Sequence, residues 1–254
     1  MKKNLILSIY PGADVLGMGF ERTGFPVVRG PDKIMGGNNL DFHPPGSVFS
    51  GVIGGPPCQQ FSLLNRNRDR AAGMIFVRDF IRTVEEAKPK FFLFENVANA
   101  PRFTIPGYTC QRFDLDLAWF SEFSRLRYFV FGSLNGKLLN PMKGKKGEVS
   151  GGCVTGNDNR SFRSMCDIQG LPNDFDLPFF TLSGKKQVIA NAVPLAMSRY
   201  VAELIRRDYY GVGEVVVQPS LVRRCACGCG RVVTGRAKTA SGSCRTALYR
   251  ARQS

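Results

Sequence analysis

Histidine is almost missing: the 254 residues include one, His43, in the turn-like run Phe42-His43-Pro44-Pro45. That argues against a Ser-His-Asp relay and against a histidine-rich metal centre. Acidic side chains are also scarce, 20 against 35 Lys and Arg, for a net charge of +15. Such a balance points to an acidic partner, nucleic acid first, with a merely basic enzyme as the alternative. No stretch approaches the ~20 apolar residues needed to span a bilayer, so no membrane partner is expected. Lys2 and Lys3 precede only a brief apolar run ended by Pro11 and Asp14, too short for a secretory leader. The eight cysteines are therefore expected as reduced thiols in a cytosolic protein. No internal repeat occurs at solenoid periods.

What is present suffices for one full domain and a small satellite, with 43% hydrophobic residues for the core. Leu5-Ile6-Leu7-Ser8-Ile9-Tyr10 reads as a buried strand, Pro11-Gly12 breaks it, and Ala13 to Arg22 has a helical pattern. Strand, glycine turn and helix open a βαβ unit, whose turn can hold a nucleotide-like ligand. Pro26-Val27-Val28-Arg29 is a second strand. Met74, Val77, Phe80, Ile81 and Val84 form a helical stripe ended by Lys88-Pro89-Lys90. Phe91-Phe92-Leu93-Phe94 and Tyr128-Phe129-Val130-Phe131 are further strands, with Asp114 to Phe123 expected as a helix between them. Between Ser133 and about Gly184 regularity fades apart from a short helix near Ser161 to Ile168. A last stripe runs through Val193, Ala196, Met197, Tyr200, Val201 and Leu204.

The apolar run Val48 to Ile53 feeds into Gly54-Gly55-Pro56-Pro57-Cys58-Gln59-Gln60-Phe61-Ser62. Two glycines and two prolines force a loop at the carboxyl end of a strand, where an α/β sheet exposes its functional residues. A thiol there can be a nucleophile in an electropositive pocket. By itself Cys58 favours a buried structural role, since free cysteine is among the most buried residue types.

Five segments in order carry a resemblance: Tyr10-Pro11-Gly12-Ala13-Asp14, Gly55 to Ser62, Glu95-Asn96-Val97, Arg125-Leu126-Arg127 and Asn191-Ala192-Val193-Pro194, with Gln169-Gly170-Leu171-Pro172 before the last. The set resembles the cytosine-5 DNA methyltransferases, particularly the compact phage and prophage type, over roughly Leu5 to Ile205. The resemblance implies an α/β fold: a Rossmann-like, S-adenosylmethionine-dependent sheet with a small target-recognition region. It implies Cys58 as the nucleophile that adds to carbon 6 of cytosine. Glu95 is then the acid at ring nitrogen 3, its pKa raised by burial. Arg125 and Arg127 would face the flipped base and its sugar-phosphate.

For the cofactor, the resemblance implies Tyr10 near the adenine, with Gly12, Ala13 and Asp14 at the methionine end. Pro56, Asn191 and Val193 complete the pocket. This chain departs from the family pattern at several points. Asp14-Val15 stands in the usual glycine-rich turn, and Asp32 is the nearest ribose-binding acid. Asn38 takes the place of an aspartate at the adenine amine. Phe123 replaces a glutamine before the arginine pair, and Ala190 replaces a glycine before Asn191.

Duplex DNA is the implied partner, bound by a monomer, with the target base extruded from the stack. Gln59, Ser62, Arg66, Arg68 and Arg70 lie on the loop expected to close over it, and Lys143, Lys145 and Lys146 in a short reading segment around Leu134 to Asn157. From Arg223 onward the chain carries eight basic residues and no acid. There Cys225, Cys227, Cys229 and Cys244 could bind zinc through four thiolates, or be reactive thiols of a basic tail. The expected divisions are a catalytic domain over 1–132, a recognition region over 133–183, a returning helix over 184–210, a linker over 211–222 and a cysteine-rich module over 223–254. The function implied is DNA cytosine-5 methylation in a bacterial host cytosol, protecting phage or host DNA from restriction. A tRNA cytosine-5 methyltransferase and a catalytically silent DNA-binding protein are the alternatives.

Overall fold

The computed structural model describes residues 4–63, 65–142, 144, 149, 151–156, 158–213, 225, 227, 233, 239 and 241–251. In chain order the elements are β1 (Ile6–Ile9), α1 (Val15–Glu21), β2 (Val27–Arg29), β3 (Gly51–Gly54), α2 (Arg70–Ala87) and β4 (Phe91–Asn96), followed by β5 (Thr109–Asp116), β6 (Leu126–Ser133), α3 (Phe162–Ile168), α4 (Leu182–Asn191), α5 (Leu195–Leu204) and α6 (Gly242–Ala251). The six strands form one sheet in the order β2-β1-β3-β4-β6-β5. β1 to β4 are parallel, and β6 runs antiparallel between β4 and β5. Strand order reverses between β1 and β3, so a crevice opens there beyond the carboxyl ends of the strands.

Strong apolar alternation explains why β4 and β6 lie at the centre. Phe91 and Leu93 face one side together with Phe129 and Phe131, while Phe92 and Phe94 face the other with Tyr128 and Val130. Each such side chain buried contributes roughly 1.5–3 kcal/mol. α2 covers one face through Val77, Phe80, Val84 and Ala87, and α1 and α5 cover the other through Phe20, Met197, Val201 and Leu204. α1 and α5 approach closely because Gly19 has no side chain: a Cβ there would sit 2.5 Å from the Ser198 carbonyl carbon.

The expected helix over Asp114 to Phe123 is instead the end of β5 and a 3₁₀ turn at Leu117–Trp119. Cross-strand pairing overrides the local pattern. β5 matches β6 residue for residue from Thr109↔Ser133 to Asp116↔Leu126, and Phe113 stacks on Phe129 at 5.6 Å. The returning helix expected over 184–210 is two helices, α4 and α5; on α4 only Val188, Ile189 and Ala190 are buried, and Thr181 caps its start. The span Leu182–Tyr209 is long and apolar enough by composition to cross a membrane, but 67% of its most apolar window is buried against the rest of the protein. Pro194 also divides it into α4 and α5.

Gly19→Ala is expected to destabilise the fold by about 1–3 kcal/mol through this helix contact. Urea unfolding should show a lower midpoint with an unchanged slope.

Candidate active site

The turn after β1 is wound tightly. Tyr10, Gly12 and Asp14 all take left-handed backbone angles, at φ 52°, 55° and 50°. For the two non-glycine residues this costs energy unless the surroundings fix them. Tyr10 is fixed by an edge contact with Phe76 and by its phenol donating to Asp79 on α2. Burial and the Asp79 bond drive the Tyr10 hydroxyl pKa upward. Asp14 is fixed as the cap of α1: its carboxylate accepts from the Ser8 hydroxyl at 2.7 Å and the Gly17 amide at 3.0 Å, and pairs with Arg29 at 2.7 Å. Gly17 is obligatory there, since a Cβ would lie 2.2 Å from the Asp14 carboxylate.

A cavity of about 290 Å³ opens beside this turn, at the β1/β3 crevice. Its wall includes Tyr10, Gly12, Ala13, Asp32, Asn38, Pro56 and Asn191 from the expected cofactor set, and Cys58, Gln59, Glu95 and Arg127 from the expected reaction set. Asp14 and Val193 lie behind that wall, around a smaller void of about 40 Å³ that Glu95 also borders. Asp32 ties the turn down, accepting from the Gly12 amide and the Ile34 amide at 3.0 Å each. Asn38 spends its side chain on local contacts with Leu40 and Asp41. Its neighbour Asn39 also lines the cavity, is 2% exposed, and donates its amide nitrogen to Asp79 at 2.6 Å.

The Cys58 loop is held against the end of β4. Asn96 donates to the Pro56 carbonyl at 3.1 Å, and the Phe61 and Ser62 amides close a turn on the Cys58 carbonyl at 2.9 and 3.0 Å. Gly55 leaves room for the acid: a Cβ would come within 2.7 Å of a Glu95 carboxylate oxygen. Glu95 is buried, with Arg127 Nε at 3.1 Å from its Oε1. Burial raises the Glu95 pKa, and Arg127 and Arg125 hold it back. Burial, and then the Glu95 charge, raise the Cys58 thiol, while the same two arginines lower it. The two groups are thus coupled: a proton on Glu95 removes one of the forces that keep Cys58 a thiol.

Arg125 has a different position from its partner. It is buried just outside the cavity wall, and its guanidinium donates to the carbonyls of Val154, Ala190 and Ala192 at 2.9, 2.6 and 3.2 Å. Burial and Arg127 lower its pKa to about 10, so it stays cationic at neutral pH. Its charge reaches Cys58 and Glu95, while its hydrogen bonds clamp the α4–α5 junction to β6.

Gln59, Arg66, Arg68 and Arg70 are exposed and Ser62 is half-buried on the loop that follows Cys58. Arg70 lies over the Phe61 ring, and Asn65 folds the loop back onto the Gln59 carbonyl at 3.1 Å. Lys143, Lys145, Lys146 and Cys229 lie outside the described residues. The sulfurs of Cys225, Cys227 and Cys244 lie within 4.8 Å of one another. Sequence reasoning missed Asn39 and Asp79, and it quoted Asn96 within Glu95-Asn96-Val97 without giving it a role. For Asp79 the signal was a carboxylate between Val77 and Phe80 on the buried stripe of α2.

Residues 40–103 match the family model for C-5 cytosine-specific DNA methylase. Over 113 residues the chain is 34% identical to Type II methyltransferase M.NgoPII of Neisseria gonorrhoeae, covering 37% of this chain and 33% of that one. Over 174 residues it is 26% identical to Type II methyltransferase M.AgeI of Thalassovita gelatinovora, covering 53% and 41%. The matches thus span about a third to two fifths of the length of these relatives. Among solved structures, the Entamoeba histolytica methyltransferase EhMeth superposes with a TM-score of 0.59 at 13% identity, covering 84% of this chain and all of that one. The S. pombe Dnmt2 methyltransferase gives 0.58 at 11% identity, covering 81% and 99%. At such identities the likeness is one of fold.

Alkylation of Cys58 by iodoacetamide, followed by peptide mass spectrometry across pH, checks the electrostatics. The wild-type midpoint should lie above that of an ordinary thiol. In Glu95→Gln the anion is gone and both arginines remain, so the midpoint should move to lower pH. An unchanged or higher midpoint would contradict the coupling.

Proposed function

The chain belongs to the C-5 cytosine-specific DNA methylase family, and from that premise we propose that it methylates carbon 5 of cytosine in duplex DNA. One observation carries the reading: Cys58, Glu95 and Arg127 share a wall of the cavity that extends to Tyr10, Asp32 and Asn39. The far end suits an adenosine. It offers an aromatic ring at Tyr10, a carboxylate at Asp32 for ribose hydroxyls, and a buried Asn39 carbonyl oxygen with no partner among the described residues. S-adenosylmethionine, when bound there, supplies an electrophilic methyl group on a sulfonium centre.

Carbon 5 of cytosine is too poor a nucleophile to take that methyl unaided. Cys58 as a thiolate adds to carbon 6 and breaks the aromaticity, which makes carbon 5 enamine-like. Glu95, whose pKa burial raises, donates in its protonated form to ring nitrogen 3 as negative charge builds on the ring. Arg127 keeps that carboxyl in place and offsets the charge. After methyl transfer, loss of the proton at carbon 5 lets Cys58 leave and restores the ring.

The target base must leave the helix to reach this wall. The Arg66, Arg68 and Arg70 loop, continuous with the nucleophile, is placed to close over the phosphates of a duplex held by one enzyme copy. A host-cytosol role in shielding phage or host DNA from restriction agrees with this substrate.

The C-terminal thiols fit zinc. Four sulfurs about 2.3 Å from a tetrahedral ion stand roughly 3.8 Å apart, within the spacing seen for Cys225, Cys227 and Cys244. Cys229, outside the described residues, would be the fourth ligand by sequence. The module's arginines then add phosphate contacts that weaken with salt.

Duplex oligonucleotides carrying 5-fluorocytosine should trap a denaturant-stable adduct with the wild type and none with Cys58→Ala. Bisulfite sequencing of DNA from expressing cells should reveal the methylated sequence. Methyl transfer to tRNA in preference to duplex DNA would replace this reading with the RNA one. Elemental analysis of protein purified without chelator should find about one zinc per chain, and near-zero metal would remove the zinc module.

A further inference from the structure

Asp79 lies within the span matched by the family model but outside the short motif segments, and two groups that line the cavity, Tyr10 and Asn39, bond to it. It sits on α2, 6% exposed, with both carboxylate oxygens engaged by groups around the cavity. Its Oδ2 accepts from the Tyr10 phenol and from Asn39 Nδ2 at 2.6 Å. Its Oδ1 accepts from Arg82 Nη2 at 2.6 Å and Nε at 3.1 Å. Arg82 continues to the Phe42 carbonyl at 3.0 Å and to Glu86 at 2.8 Å. The buried charge is thereby neutralised, and the turn that carries Asn39 is tied to the helix.

An ionised carboxylate only accepts hydrogen bonds. Asn39 must therefore turn its NH₂ toward Asp79, which leaves its carbonyl oxygen as the group without a partner. A buried acceptor left unmade is costly in the empty protein and favours a ligand that brings a donor. The same carboxylate holds the Tyr10 hydroxyl and so keeps a left-handed residue in place on the cavity wall.

We propose that Asp79 is a positioning residue of the donor pocket: it fixes the Tyr10 ring and orients the Asn39 amide, so that the purine end presents an acceptor and selects a 6-amino purine over a 6-oxo one. The proposal rests on reading the cavity as the methyl-donor site. Asp79 touches neither the reacting atoms nor the donor itself. Its loss acts on binding and on discrimination and leaves the chemical step intact.

The test is calorimetric binding of S-adenosylhomocysteine and of its inosyl analogue, which carries a 6-oxo group. Wild type should bind the adenosyl compound well ahead of the inosyl one. Asp79→Asn should weaken adenosyl binding by roughly tenfold or more. It should also bring the adenosyl-to-inosyl ratio toward one, because an amide at 79 lets Asn39 turn either way. KM for the donor should rise by a similar factor with kcat within about threefold. Tyr10→Phe deletes one of the two bonds to Oδ2 and keeps the ring. It should cost a few-fold in binding, and less in the Asp79→Asn background than alone. It also serves as the measurement if Asp79→Asn fails to fold. Glu85→Gln, at an exposed position of the same helix, should bind as wild type does. A folded Asp79→Asn with wild-type affinity and discrimination would overturn the proposal while leaving the donor site intact. Absence of adenosyl binding by wild type itself would overturn the donor-site reading.

Discussion

A buried carboxyl group and a neighbouring thiol that reacts as its anion both depend on a cation close by to favour their charged forms. Arg127, 3.1 Å from Glu95, is that cation. Its position follows from the sheet. β6 pairs antiparallel with β4 through Asn96↔Tyr128, so the residue just before Tyr128 lies past the end of that ladder, next to the acid. On the other side, β3 pairs with β4 as far as Gly54↔Phe94 and delivers the Cys58 loop to the same edge. One strand carrying the acid thus sits between the strand that delivers the nucleophile and the strand that delivers the counter-charge. The reversed direction of β6 is what brings the start of that strand, with its arginines, to the edge where the parallel strands end.

Much of this edge was legible in the sequence because its motifs coincide with strand ends. Short apolar runs followed by Pro and Gly mark β1 and β3, and the Phe91 to Phe94 run leads straight to Glu95. β5 was not legible. Its residues Asp114 and Asp116 interrupt the apolar alternation, and what holds it is a ladder with a strand ten and more residues away in the chain. The adenine-end asparagine shows a finer limit. Asn38 and Asn39 are adjacent and chemically identical. Only the tertiary contact with Asp79 distinguishes the buried one from the one that caps its own turn. Arg125 and Arg127 present the same difficulty: spacing gives both to one edge, whereas one guanidinium reaches the acid and the other is taken by three carbonyls from later in the chain.

Arg125 also ties the catalytic sheet to the later half of the chain. Its three acceptors come from Val154, in the irregular segment between β6 and α3, and from the end of α4 with the residue after it. Gln169 reaches the same junction, donating to the Ile189 and Ala192 carbonyls at 2.7 and 3.2 Å. Two side chains therefore converge on the backbone that places Asn191 on the cavity wall. The family resemblance is thin in this part of the chain, but its buried polar groups are bonded as specifically as those at the sheet edge.

α2 starts at its cap, Asp69, immediately after the basic loop, and carries Asp79 ten positions on. A helix advances ~1.5 Å and turns about 100° per residue. One residue inserted between these points would swing the Asp79 carboxylate a quarter-turn away from Tyr10 and Asn39, although every side chain of the pocket would survive. The same residue inserted among the exposed residues 66–68 would only lengthen a surface loop. Descendants of this chain are thus free to vary the length of this exposed loop, while the first ten residues of α2 are fixed in number by the pocket behind them.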